Sequence, residues 1–196
     1  PPLNRRPTIR ASRRLSCLAL PFNPSAGART IWPVVIQLHA GYNRAMSITI
    51  IQERPDAPDA VPLISELDAS VAHLYPARSR HGYSVDKLLA ENIPFFIVRA
   101  NGTPAACAGI KLVGTEFGEV KRMYVRPSFR RQGFATRLLD HLGAYAAAHG
   151  IDILRLETGI HQHEAIVLYE RYGFYRIPPF PPYFDDPVSL CYEKRI

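Results

Sequence analysis

Glu119-Val-Lys-Arg-Met-Tyr-Val-Arg-Pro-Ser-Phe-Arg-Arg-Gln-Gly-Phe-Ala-Thr136 is the stretch whose reading decides the fold. Val120, Tyr124 and Val125 are β-branched or aromatic and predict a strand. Pro127 and Ser128 end it. Ala135, Leu138, Leu139, Leu142 and Tyr145 then recur at helical spacing, with Gly150 as a stop. Between strand and helix lies a basic turn, Arg130-Arg131-Gln132-Gly133. A helix N-terminus leaves backbone N–H groups unpaired and carries partial positive charge. Glycine lets a phosphate approach the backbone, and arginines add charge-assisted bonds. The junction has the form of a pyrophosphate cradle. No Gly-Lys-Ser/Thr and no G-x-G-x-x-G is present, so neither the P-loop nor the dinucleotide fingerprint applies.

Arg130-x-x-Gly133-x-Ala135, after a strand ending Met123-Tyr124-Val125, resembles the acetyl-CoA signature of the GNAT acetyltransferases, R/Q-x-x-G-x-G/A. A second stretch, Gln162 to Phe174, is similar to the family's N-x-x-A-x-x-L-Y-x-x-x-G-F/Y. Ala165, Leu168, Tyr169, Gly173 and Phe174 match, while Gln162 replaces the usual asparagine at a cofactor-contacting position. The resemblance covers roughly 47–196. It implies an α/β fold with a mixed central sheet of about six or seven strands flanked by about four helices. It also implies two parallel strands that splay apart around acetyl-CoA.

The remaining residues fit that order. Ser47–Gln52 predicts a strand, and Val61 to Leu74 a helix. A short helix is expected over Val85–Glu91. Phe95–Ala100 and Pro104–Val113 predict a hairpin around Asn101-Gly102. Ile153–Thr158 predicts a strand parallel to the central one, because a helix separates the two. Val188–Lys194 predicts a closing strand.

At 196 residues the length suits one domain. The formal net charge of +7 is unevenly spread. Residues 1–45 hold seven arginines and no acid. Removing those seven from the 24 basic residues leaves 17, which matches the 17 acidic ones. A nucleic-acid partner drawn from the overall charge therefore has little support. Residues 1–45 resemble an organellar transit peptide in composition, and equally translated sequence ahead of a start at Met46. The second reading is taken, with disorder expected over most of 1–30 and Ile31–Leu38 as a short extra strand or packing segment. The acetyltransferase domain is expected over 46–196.

Cys17, Cys107 and Cys191 show no paired spacing and fit a reducing, cytoplasmic setting. No run of 18 apolar residues exists, so no membrane partner is expected. His161, His163 and Glu164 are too local to complete a zinc site, and no metal is expected. A homodimer is left open.

The resemblance implies site residues by position. Backbone groups of Met123, Tyr124 and Val125 would bind the pantetheine arm of acetyl-CoA. Arg130, Arg131, Gln132, Gly133, Phe134, Ala135 and Thr136 would hold the pyrophosphate, mostly by N–H groups. Tyr169 matches the tyrosine that protonates the leaving thiolate. Glu119 matches the general-base carboxylate of some members. Glu119, Lys121, Met123 and Val125 share a face if no bulge intervenes.

The loop Pro76–Val85, with Tyr75, Arg78, Arg80, His81 and Tyr83, falls where the family borders its acceptor. The Pro-rich tail contributes Phe180, Tyr183 and Asp186. Together with Leu156-Glu-Thr-Gly159, that tail resembles a bacterial branch containing indole-acetate-type and other small-molecule acetyltransferases. The expected function is acetyl transfer to a small-molecule amine in a ternary complex. The alternatives are acetylation of a protein or peptide amine, and a CoA-binding sensor without turnover.

Overall fold

The computed structural model describes residues 46–76, 79, 81–183 and 186–196. The readings made for residues 1–45 and for Arg78 and Arg80 lie outside them. Strand β1 (Ile48–Glu53) is followed by helices α1 (Ala60–Val71) and α2 (Val85–Ala90). Then come β2 (Phe95–Ala100), β3 (Thr103–Val113), β4 (Phe117–Val125), α3 (Phe134–Ala147) and β5 (Ile153–Gly159). Helix α4 (His163–Tyr172), β6 (Tyr175–Ile177) and β7 (Ser189–Arg195) complete the order. The seven strands form one mixed sheet in the order β1-β2-β3-β4-β5-β7-β6. Among the described residues four helices flank the sheet, the architecture that the resemblance implies.

Local chemistry accounts for the joints. Asn101 and Gly102 both take positive φ (49° and 81°), the geometry a two-residue hairpin needs. Ser84 caps α2 by accepting from Lys87 N–H at 3.2 Å. Gly173 ends α4 in the left-handed conformation.

Each face of the sheet is covered. Leu138, Leu139 and Leu142 of α3 pack on Phe96, Val98, Ile110, Val120 and Leu154. On the opposite face Ala60, Leu63 and Ile64 of α1 and Leu88 of α2 cover Phe95, Ile97, Cys107 and Tyr124. A smaller cluster joins Phe117, Phe180, Tyr183 and Cys191. β6 was not foreseen; its three residues are too few for a pattern of period two. Among the described residues no helix is long and apolar enough to cross a membrane.

β4 departs from regular pairing. Lys121 faces Gly109 and Tyr124 faces Cys107, so three steps on β4 match two on β3. The extra residue is a bulge, and Arg122 adopts φ 54° there. Tyr124 therefore packs with α1 and α2, and Glu119 and Lys121 meet Tyr183 and Tyr83, while Met123 and Val125 pack with the α3 cluster. The face expected for an unbulged strand, shared by Glu119, Lys121, Met123 and Val125, is split after Lys121.

Candidate active site

β4 and β5 run parallel but pair only at Gly118–Leu154 and Glu119–Arg155. Beyond that point they part, and from Val120 onward β4 has no strand partner on its β5 side. A cavity of about 570 Å³ opens at the parting. Its walls include Lys121 to Met123 of β4, Glu157 to Gly159 of β5, Tyr169 of α4 and Asp68 of α1. His81 and Tyr83 of the loop before α2, and Tyr183 of the tail, also line it.

One end of the site is the turn before α3, into which β4 leads. Gly133 holds φ 80° as the residue preceding the helix, and Arg131 is also left-handed at φ 59°. The first i→i−4 bond of α3 runs from Arg137 N–H to Gly133 C=O. The N–H groups of Phe134, Ala135 and Thr136 thus have no acceptor within the helix. The Phe134 side chain points into the core against Phe129. Arg130 pairs with Glu164 at 2.6 Å and donates to Val125 C=O at 3.2 Å. Gln132 donates to Ser128 C=O. Gln162 precedes α4, and its N–H donates to Gly159 C=O.

The other end is built from side chains. Glu119 and Lys121 are buried, and their charged atoms meet at 2.6 Å. Tyr183 Oη donates to the same Glu119 oxygen at 2.6 Å and contacts Lys121 Nζ. Lys121 also lies 4.5 Å from the centre of the Tyr83 ring. Burial pulls the Lys121 ammonium below its ordinary pKa, against the opposing pull of Glu119. Burial and the Glu119 charge push the Tyr183 phenol well up. His81 Nε2 bonds Asp186 at 2.7 Å, which ties the loop before α2 to the tail.

The structure revises two expected placements. Glu119 does not line the cavity; Lys121 and Tyr183 cap its carboxylate. Phe180 does not line it either, but stacks edge-on against Phe117 and Tyr183.

On the β5 side the cavity carboxylate is Glu157, two residues past the last β4-paired position of β5; Asp68 of α1 is a second. Glu157 Oε1 accepts from Ser189 Oγ at 2.7 Å. Burial raises its pKa above the usual carboxylate range, opposed by the Ser189 bond and by nearby His81 and Lys121. Tyr169, 7% exposed, places its hydroxyl 3.8 Å from Met123 Sδ on the cavity wall. Burial, aided by the charge of Glu157, pushes its pKa well above the ordinary phenol value. Tyr75 stacks on His161 and accepts from His161 N–H at 2.8 Å. Its Oη occupies the space a Cβ on Gly159 would need, 2.2 Å away.

Residues 64–174 match the family model described as the acetyltransferase (GNAT) family. The chain belongs to the GNAT acetyltransferase family. It is an acyltransferase of the N-acetyltransferase type. It is 41% identical over 152 residues to an IAA acetyltransferase of Azospirillum brasilense, covering 76% of this chain and 99% of that protein. A Bacillus subtilis N-acetyltransferase, YsnE, is 33% identical over 69% of this chain and 91% of its own. Among solved structures, a candidate acyl-CoA N-acyltransferase from Klebsiella pneumoniae aligns with TM-score 0.64 and 36% identity, over 76% of this chain and 97% of that one. The PaiA N-acetyltransferase of Thermoplasma acidophilum, solved with coenzyme A, shares the fold of this acetyltransferase at TM-score 0.63 and 22% identity, over 77% and 100% of the two chains.

Glu157 was legible in sequence only as part of Leu156-Glu-Thr-Gly159. Alternation along β5 puts it on the face of Arg155, which bonds Glu193. Nothing local separates the two acids and bases of that face into structural and cavity-lining groups.

Proposed function

We propose that this acetyltransferase uses acetyl-CoA as donor and acetylates the amine of a small molecule, both substrates being bound at once. The observation that carries the reading is the parting of β4 and β5, which opens a cavity lined by Glu157 and Tyr169. The N–H-rich turn at Gly133 follows the free stretch of β4 and opens α3. The residues present suit the donor. The free β4 edge over Met123–Val125 can pair with an amide-bearing pantetheine arm as an added strand would. The left-handed turn and the N–H groups of Phe134 to Thr136 suit a pyrophosphate, with Arg130 and Arg131 adding charge. Gln162, at the start of α4, lies on the same wall as Tyr169.

Acetyl-CoA supplies the thioester carbonyl carbon, to which the amine nitrogen bonds as the C–S bond breaks. Glu157 accepts the proton the amine gives up. Its raised pKa brings it closer to the pH at which a base works best. Tyr169 keeps its proton across neutral pH and gives it to the departing sulfur. Glu119 holds Lys121 and Tyr183 in place and shapes the acceptor wall. His81 and Tyr83 border the acceptor. The name of the Azospirillum relative favours a small acceptor over a peptide.

The test follows CoA release from acetyl-CoA with a thiol reagent across amines, amino acids and short peptides. Turnover with a small acceptor, reduced about 100-fold in kcat by Tyr169→Phe, is the expected result. Binding of acetyl-CoA with no release for any acceptor would overturn it.

A further inference from the structure

Arg122 has no part in the reading above, yet it is placed with unusual definition. The β4 bulge turns it at φ 54° toward α1. Nη2 donates to Ile64 C=O at 3.1 Å and pairs with Asp68 at 2.7 Å. Gly82 leaves room for Nη1; a Cβ there would stand 2.6 Å from it. The side chain is 5% exposed and lines the cavity. Its Nε–H is the one buried side-chain nitrogen or oxygen among the described residues without a hydrogen-bond partner. Buried donors are nearly always paired, because an unpaired one forfeits its hydration. A guanidinium in particular matches a carboxylate.

The cavity is also polarised. Lys121 and Arg122 stand together on the β4 wall, and Glu157 stands on the β5 wall. Asp68, the partner of Arg122, is 57% exposed on its side chain. Its hold on the guanidinium is therefore weakened by solvent.

Resting on the acetyltransferase reading, we infer that the acceptor is an amine that also carries a carboxylate, of the α-amino-acid class. The carboxylate lies on the Arg122 Nε–H and Lys121 side, and the amine faces Glu157. A zwitterion of this kind gives the β4 wall its anion and the β5 wall its proton donor. An amine lacking the carboxylate leaves Arg122 Nε–H unpaired, which is the situation in which a polar site discriminates strongly.

The experiment compares matched acceptors with the full chain at saturating acetyl-CoA, reading CoA release. The sets are L-phenylalanine, phenylalaninamide and phenethylamine; L-tryptophan and tryptamine; L-histidine and histamine; L-leucine and isoamylamine. In the best set the acid is expected to exceed its amide and its amine by about 10- to 100-fold in kcat/KM. Arg122→Gln is expected to bring that ratio near one, chiefly through KM for the acid. Asp68→Asn, which removes the competing anion, is expected to raise the ratio, a direction that general damage to the fold does not produce.

Amines or amides that react as well as the acids would overturn the inference and leave the acetyltransferase reading standing. So would an Arg122→Gln protein that loses acid and amine turnover in equal proportion. Absence of release with every acid, amide and amine would overturn both.

Discussion

At one end of the site, beyond β4, Phe134 to Thr136 present backbone N–H groups that no helical carbonyl accepts. At the other, Lys121, Arg122 and Tyr183 bring buried side chains, and Glu157 a half-buried one, from three separate segments. The first end needs only a chain conformation, and any residue except proline supplies an N–H. The second needs particular functional groups, each held by partners distant in sequence. Tyr183 reaches Glu119 across 64 positions, and Ser189 reaches Glu157 across 32. A donor common to many enzymes suits the backbone-built end, and an acceptor particular to one enzyme suits the side-chain-built end.

The sharpest way to break this contrast is Glu157→Gln. kcat/KM is expected to fall by about 10²- to 10⁴-fold. The wild-type rate should rise with pH through an apparent pKa above the usual carboxylate range, and the variant should lack that rise. Stability moves the other way. A glutamate whose folded pKa is raised binds its proton more tightly when folded. Its favourable contribution is present below the unfolded pKa and lost as pH rises through the folded value. At pH 7 the glutamine variant should therefore melt at higher temperature than wild type, with the difference shrinking toward pH 4. A loss of both activity and stability at pH 7 would mean that Glu157 is structural.

Next in size is Lys121→Met. Removing one partner of a buried ion pair leaves Glu119 uncompensated, at a cost of about 3–5 kcal/mol. The double exchange with Glu119→Gln should recover most of that loss in chemical denaturation. Additive losses would show that the pair is not coupled.

Gly133→Ala probes the backbone-built end. A left-handed alanine costs about 1–2 kcal/mol, and the methyl group obstructs close approach to the turn. KM for acetyl-CoA should rise at least several-fold while the acceptor KM stays level. An effect on the acceptor KM alone would reverse the assignment of the two ends. Smallest is Arg130→Gln. Arg130 is exposed and shared with Glu164, so KM for acetyl-CoA should rise only about two- to fivefold, less so at high salt. The measurement is initial rates at two ionic strengths.

The same contrast explains what could be read from the chain without coordinates. The strand–turn–helix over Glu119–Thr136 and the Ala165–Phe174 helix are local patterns, and the sheet and four helices follow from them. The Arg122 bulge is a property of two strands together, because it appears only when β4 is laid against β3. Glu119 reads as a candidate general base until Lys121 and Tyr183 are seen to enclose it. Phe180 reads as a pocket wall because aromatic and proline residues surround it, but Phe117, 63 positions earlier, supplies its packing partner. Glu157 reads as the outward side of an alternating strand until the parting of β4 and β5 turns that side into a cavity wall.

The position of β7 in the sheet has a consequence for the order of events at the ribosome. β5 is joined to β4 through two paired positions but to β7 through seven. β7 comes 29 residues after β5 ends and lies between β5 and β6. The nascent chain can complete β1 to β4 and lay α3 across them before β7 emerges, so the turn at Gly133 can form early. Glu157 waits, since Ser189 and most of the hydrogen bonds that steady its strand arrive with β7. The end proposed for the common donor can thus take shape during synthesis, and the end proposed for the acceptor is finished last.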